Sequence, residues 1–253
     1  GAGAGIQLFH PGRQMHPKYT GNSLVAPSAI PCPVMKAAPS VLSGAEIRQL
    51  VADFVEGAVR AKQVGFDAVE IHAAHGYLGA QFLSPLSNNR TDAYGGSSER
   101  RARFVLEIGR GIREAVGDDF PVLLRFSADE KLKGGLTLDA ARCLVPLFEK
   151  AGFSALHVSA GCYSSMEWIV QPYLQERACL GDLAKAIRQE TDLPVIAVGR
   201  IVDLDAAERL LRDGSADLVS MGRALIADPD LPRKATEKST SAIRPCLGCN
   251  VCI

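Results

Sequence analysis

Two histidines and a tyrosine crowd the segment Glu70-Ile-His-Ala-Ala-His-Gly-Tyr-Leu78. Two imidazoles and a phenol where a strand opens into a loop could bind a polarised oxygen and deliver a proton. Packing or solubility in a surface loop is the plain alternative for His72, His75 and Tyr77. The H-x-x-H spacing lacks the glutamate of a zinc-protease helix, and His75-Gly76 does not make a nucleophile elbow. Val198-Gly-Arg200 and Met221-Gly-Arg223 form a second set, each closing an apolar run. Glycine lets a phosphate approach the backbone and arginine adds charge, so Gly199, Arg200, Gly222 and Arg223 are candidate phosphate ligands. Ordinary turn chemistry is their alternative. The third set is Cys246-Leu-Gly-Cys-Asn-Val-Cys252, whose spacing gathers three thiolates around one small object, an iron–sulfur cluster or zinc.

The elements that must position these residues can be read from periodicity. The chain has 253 residues, 47% hydrophobic and 22% charged, enough for one large α/β domain or two small ones. Zero formal net charge gives no electrostatic case for nucleic acid or an anionic membrane as partner. No apolar run approaches the roughly 18 residues that cross a bilayer. The start, Gly1-Ala-Gly-Ala-Gly-Ile-Gln-Leu-Phe9, has neither Met nor signal-peptide order and reads as the interior of a longer protein. Cys32, Cys143, Cys162 and Cys179 are scattered, and a chain of this class does not depend on disulfides, which points to a reducing, cytoplasmic setting.

From Ser43-Gly-Ala-Glu46, a capping box, helical and strand patterns alternate. Strands are predicted at 5–9, 67–72, 120–126, 153–158, 194–198 and 216–221. Helices are predicted from about 46 to Gly65, 99–116, Thr137 to Ala151, about 180–190 and 203–212. Gly65, Gly152 and Gly214 recur at helix-to-strand junctions, where glycine supplies the left-handed residue that ends a helix. The polar stretch Asn88 to Phe104 reads as structural: Gly95-Gly96 makes a turn, Ser97 or Ser98 caps a helix, and the arginines pair with Asp92 and Glu99 or meet solvent. Buried strands between amphipathic helices imply a parallel sheet, closed as a barrel or open and doubly wound. No G-x-G-x-x-G follows any strand, and His10, His72, Arg125, Ser159, Arg200 and Arg223 lie just past strand ends as a barrel rim requires. The expected fold is therefore a TIM (β/α)8 barrel with its first two strands absent from this chain. Residues 1–240 would form the barrel domain and 241–253 the start of a cysteine-rich segment.

Gln7-Leu-Phe-His-Pro-Gly-Arg13, the His72–Leu78 run, Gln81-Phe-Leu-Ser-Pro85 and the Asn88–Phe104 run resemble the old yellow enzyme family of NADH:flavin oxidoreductases. Gly199-Arg200 and Gly222-Arg-Ala-Leu-Ile-Ala-Asp-Pro229 fit the same pattern in collinear order. Arg244-Pro245 and the terminal cysteines resemble its iron–sulfur branch, which includes 2,4-dienoyl-CoA and 2-enoate reductases. The resemblance implies FMN at the barrel mouth, with Gln7 on the flavin pyrimidine, Arg125 at its N1/O2 edge, and Gly199, Arg200, Gly222 and Arg223 around the phosphate. It implies that His72 and His75 hold the substrate's electron-withdrawing oxygen and that Tyr77 donates the proton. A phenol of pKa about 10 is protonated at neutral pH and suits that role.

The resemblance further implies a ping-pong reaction: NAD(P)H reduces FMN, and hydride then passes to the β-carbon of an activated alkene while the α-carbon is protonated. Desaturation or amine oxidation on the same fold is the alternative direction. Cys246, Cys249 and Cys252 would begin a 4Fe-4S site that relays electrons from a downstream module, with FAD there as an open extension. Here the third cysteine follows after two residues, where the family usually has three, and the fourth ligand lies outside the sequence. The stretch Gly161-Cys-Tyr-Ser-Ser-Met-Glu-Trp168 lacks a histidine that assists protonation in dienoyl-CoA reductases. That difference argues against a simple dienoyl-CoA reductase and leaves Cys162, Tyr163 or Trp168 to shape the pocket. The partners expected are a small-molecule substrate and no nucleic acid or membrane, with homo-oligomerisation left open. A flavin-free phosphate-binding aldolase or synthase is the rival from another class; it needs a strand-end lysine or paired carboxylates, and Lys131 and Lys133 lie instead in a glycine-rich loop.

Overall fold

The structure is a computed structural model that describes residues 2–15, 18, 21 and 23–253. Its main sheet has six parallel strands: β1 (Gly5–Leu8), β4 (Ala68–Ala73), β5 (Val122–Asp129), β6 (Ala155–Ala160), β7 (Val195–Ala197) and β8 (Leu218–Val219). They neighbour one another in that order. A strand order that never reverses has no topological switch point, so successive right-handed crossovers place their helices on one face and the sheet curls. The result is a half-barrel, six consecutive strands of a (β/α) barrel, as the alternating pattern predicts. A further parallel pair, β2 (Val25–Ala26) and β3 (Ser40–Val41), lies in the long connection between β1 and β4 and carries too little periodicity to be read from sequence.

The main helices are α1 (Gly44–Gln63), α3 (Ser98–Val116), α4 (Leu138–Lys150), α6 (Gly181–Arg188) and α7 (Leu204–Arg212). Four of them, all but α6, start at a side-chain cap. The Ser43–Glu46 capping box is closed in both directions, at 2.7 and 3.3 Å. Ser97, Thr137 and Asp203 accept from the backbone N–H three residues on. The junction glycines at 65, 152 and 214 all have positive φ, between 70° and 91°. Four short helices escape the periodic reading: α2 (Leu78–Leu83), α5 (Met166–Ile169), α8 (Arg223–Ala227) and α9 (Leu231–Thr236). Every residue of α2 is buried, so it has no polar face and hence no helical period to detect.

Strand register decides which side chains share the barrel interior. His72 is paired with Arg125 and Arg125 with His157; one pleat further along, Ser127 is paired with Ser159. Paired residues in parallel strands point to the same face, so these groups form two successive polar layers at the C-terminal end. On the other face Phe104 stacks on Phe82 at 4.4 Å and meets Phe54 edge-on at 6.3 Å, tying α3 to α2 and α1. Both Phe82 and Phe104 are fully buried. Phe104→Ala is expected to cost about 3–5 kcal/mol, measured as a lowered urea midpoint at unchanged slope. A loss below about 1 kcal/mol would show that this aromatic layer does not anchor the helical shell.

Candidate active site

β4 delivers His72 to the barrel mouth, and the chain then turns sharply through His75 (φ 61°) and Gly76 (φ 76°). A left-handed histidine is strained and must be held by its surroundings. Two buried glutamines do this. Gln14 Nε2 donates to the carbonyl of His75 at 2.8 Å, and Gln81 Nε2 donates to the carbonyls of Gly76 and Pro11 at 2.7 and 3.1 Å. A Cβ at Gly76 would lie 2.3 Å from the Gln14 amide oxygen, so only glycine fits under the clamp. The backbone N–H of His75 donates to Ser127 Oγ at 3.0 Å.

The two imidazoles meet edge to face, with ring centroids 4.9 Å apart. Their protons can be placed by exclusion. The backbone N–H of Ala74 donates to His72 Nδ1 at 3.1 Å, so that nitrogen carries a lone pair and a neutral His72 bears its proton on Nε2. His72 Nε2 lies 3.2 Å from His75 Nδ1, and His75 Nε2 lies 2.7 Å from Ser159 Oγ. The chain of donors therefore runs from His72 Nε2–H to His75 Nδ1, and from His75 Nε2–H to Ser159. Burial, reinforced by the nearby Arg125 charge, lowers the pKa of His72 to about 3 and that of His75 well below its ordinary value. Both are neutral donors at physiological pH.

Tyr77 occupies the N-cap position of α2, its ring edge-on to His72 at 5.0 Å and tilted against Phe9 at 5.2 Å. Its hydroxyl lies 3.2 Å from that of Tyr163, a partner that sequence reasoning treats only as pocket lining. Burial, with the hydrogen bond to Tyr77, raises the pKa of the Tyr163 phenol and keeps it protonated. His72, His75 and Tyr77 are thus gathered on one rim, with the Tyr163 hydroxyl beside them.

Beneath them Glu70 accepts from Gln7 Nε2 at 2.5 Å and from His157 Nδ1 at 2.7 Å. Burial opposes ionisation of Glu70, but His157, Gln7 and Arg125 together hold its pKa below the usual value. The Nε of Arg125 and Nε2 of His157 are buried without a hydrogen-bond partner. The Nε of Arg200 is orphaned in the same way. Arg125, Gly199, Arg200, Gly222 and Arg223 line one cleft of about 160 Å³, and a Cβ at Gly222 would meet nothing within 4 Å. Orphaned cationic groups and open backbone are what a bound anion would satisfy, so the cleft fits the phosphate of FMN and Arg125 fits an electron-rich ring edge.

Two placements depart from simple expectation. Gly199 has φ 111°, and a Cβ there would lie 2.6 Å from Leu180, so packing already requires glycine. Arg223 is engaged, with Nη1 donating to the Gln171 carbonyl at 2.6 Å and to the Asn250 side chain, which leaves Arg200 as the freer cation. Asn250 lies between Cys249 and Cys252, so the cysteine segment reaches the cleft. Cys246 is half-buried, Cys249 and Cys252 are exposed, and no group of three His, Cys, Asp or Glu suited to a metal is gathered among the described residues. The present arrangement of thiols does not make a cluster cage. No helix among the described residues is long and apolar enough to cross a membrane.

The pattern of the NADH:flavin oxidoreductase / NADH oxidase family matches residues 1–241. The chain belongs to that family. It is 47% identical over 252 residues to an NADH oxidase of Thermoanaerobacter brockii, covering 99% of this chain and 39% of the relative. It is 36% identical over 261 residues to a cinnamate reductase of Clostridium sporogenes, covering 94% of this chain and 38% of the relative. Among solved structures, a 2-naphthoyl-CoA reductase complex superposes with a TM-score of 0.92 at 31% identity, over 97% of this chain and 39% of that one. Histamine dehydrogenase from Rhizobium sp. 4-9 superposes with a TM-score of 0.90 at 35% identity, over 100% of this chain and 37% of that one. The chain thus spans about two-fifths of the length of these relatives.

The lowered pKa of His72 has a measurable consequence. Between about pH 6.5 and about 3 the unfolded chain protonates this imidazole and the folded chain does not. Folding stability then rises with pH through that window and is lost as pH falls through it, by on the order of a few kcal/mol. Urea unfolding at pH 7 and pH 5 is expected to show this slope, flattened in His72→Gln. An equal slope in both proteins would mean that His72 is not buried as a neutral group.

Proposed function

We infer that this chain is the FMN-binding and substrate-binding portion of an NAD(P)H-dependent oxidoreductase. Its substrate class is an alkene conjugated to an electron-withdrawing oxygen: an enone, 2-enoate or enoyl thioester. The observation that carries this reading is the neutral His72–His75 pair beside the Tyr77 phenol, on the rim that also holds the orphaned Arg125. Neutral N–H donors in a buried site stabilise an oxygen as it gains negative charge.

Bound FMN supplies the two-electron exchange between nicotinamide and alkene. Arg125 would hold the cofactor by its electron-rich edge, and Arg200 with the open backbone at Gly222 would hold its phosphate. Gln7, already oriented by Glu70, would present its amide carbonyl to the pyrimidine. His72 binds the substrate oxygen through Nε2–H and lowers the energy of the enolate that forms. Tyr77 delivers its phenolic proton to the α-carbon; the Tyr163 hydroxyl, 3.2 Å away and itself protonated, donates a hydrogen bond to the phenolate oxygen left behind, and solvent returns the proton. Cys246, Cys249 and Cys252 would begin a 4Fe-4S site once further ligands join them, and no step here passes through it. A reducing, cytoplasmic setting suits seven free thiols. The likeness to histamine dehydrogenase supports amine oxidation as the second reading.

Two variants test the assignment. Tyr77→Phe is expected to leave reduction of bound FMN by NAD(P)H intact and to slow alkene reduction about 100-fold or more, as loss of a general acid does. Stopped-flow measurement of each half-reaction decides it; equal slowing of both would remove Tyr77 as the proton donor. Arg200→Ala is expected to weaken FMN binding about tenfold or more through loss of a charged hydrogen bond, read by flavin fluorescence titration. Unchanged affinity would place the phosphate elsewhere.

A further inference from the structure

The hydroxyls of Ser127 and Ser159 occupy one layer of the barrel, yet their hydrogen bonding differs. Ser127 Oγ accepts from the His75 backbone N–H at 3.0 Å and donates to the Gly161 carbonyl at 2.9 Å, so its orientation is fixed at both ends. Ser159 Oγ, also buried, contacts His75 Nε2 at 2.7 Å and has no other hydrogen-bond partner among the described residues. A hydroxyl with a single partner can rotate to accept from that partner or to donate to it. In the substrate-free site it accepts, because His75 Nδ1 is already the acceptor for His72 Nε2–H. In that state the His75 ring offers no N–H to a ligand.

The geometry points to Ser159 as the positioning residue that switches His75 between tautomers when a substrate oxygen arrives. His72 Nε2 and His75 Nδ1 are 3.2 Å apart, close enough for one oxygen at about 2.8 Å from each to accept from both. Only His72 can donate while His75 holds its proton on Nε2. If Ser159 turns to donate its hydroxyl proton to His75 Nε2, that nitrogen becomes the acceptor and the ring proton belongs on Nδ1, facing the same oxygen. One proton leaves Nε2 and one arrives at Nδ1, with water as carrier, so neither the net charge nor the number of bound protons changes. The exchange needs no histidinium, in keeping with a buried pair beside Arg125. The site then presents two neutral donors to a carbonyl or enolate oxygen, and an occupant lacking such an acceptor leaves the mutual His72–His75 bond in place.

This inference rests on the reading of the pair as an oxygen-binding site. It is tested on the oxidised, FMN-loaded holoenzyme carrying 15N-labelled histidine, with 2-cyclohexenone as a carbonyl probe and no reductant, so that nothing turns over. Two-bond nitrogen–proton correlations assign the His75 tautomer. Without the enone, His72 and His75 are both expected as Nε2–H; at saturating enone, His72 stays so and His75 becomes Nδ1–H. Ser159→Ala is expected to lose this change and to bind the enone about tenfold more weakly, while Ser159→Thr, which keeps a hydroxyl, restores both. His75 held as Nε2–H at the highest soluble enone concentration would overturn the proposal, as would a Ser159→Ala protein that changes tautomer and binds as the native protein does. Failure of alkene reduction itself would appear separately, as NAD(P)H-reduced enzyme that the enone does not reoxidise, and would leave the tautomer result standing.

Discussion

The parallel register of β4, β5 and β6 places three potential cations, His72, Arg125 and His157, side by side inside a low-dielectric barrel. Three positive charges in one layer would repel strongly where water cannot screen them. The structure resolves this by giving the layer few charges. Arg125 keeps its charge, Glu70 lies below it as counter-ion and binds His157, and the two rim histidines are neutral. The remaining charge at Arg125 is free to face an electron-rich cofactor edge, and the uncharged imidazoles are free to donate to an oxygen without drawing in a competing anion.

The same constraint explains the elaborate turn after β4. A pair of buried neutral imidazoles is useful only if each nitrogen has a defined role. His75 reaches His72 from a left-handed backbone conformation that Gln14, Gln81 and Ser127 over-determine. These side chains come from the β1–α1 connection, α2 and β5, so the site is held by segments distant in sequence. Ser84 and the Leu136 N–H perform a similar service for the buried Glu130 carboxyl, which burial pushes up in pKa; that group braces the loops behind the rim.

Much of this was legible in the sequence because a barrel strand has period two and ends at its rim. The polar positions His72, Arg125 and Ser159 stand out in largely apolar runs, although β4, β5 and β6 continue past them to Ala73, Asp129 and Ala160 and so hold them within the strands, and helix caps at Ser43, Ser97 and Thr137 fix the spacing between them. The arginine-rich stretch before α3 was also readable as architecture: Arg90 pairs with Asp92, and Asn88 donates to the carbonyls of Phe82 and Tyr94. What escaped detection depends on contacts between remote segments. The Glu70–His157 bond joins residues separated by the whole of β5, and the Tyr77–Tyr163 contact crosses the barrel mouth. Arg223 matches a phosphate-binding pattern in sequence, yet Gln171 and Asn250 occupy its guanidinium, which no local pattern announces.

In the proposed function this rim would accept electrons from a nicotinamide through FMN and pass them to a polarised alkene. The most direct measurement is an anaerobic absorbance titration of the FMN-loaded holoenzyme, first with NADH or NADPH and then with 2-cyclohexenone. The flavin bands are expected to bleach with one equivalent of nicotinamide per flavin and to return on addition of the enone, with the saturated ketone as product. Bands that bleach but do not return with this or any enoate or enoyl thioester would contradict it and leave amine oxidation as the better reading of the site.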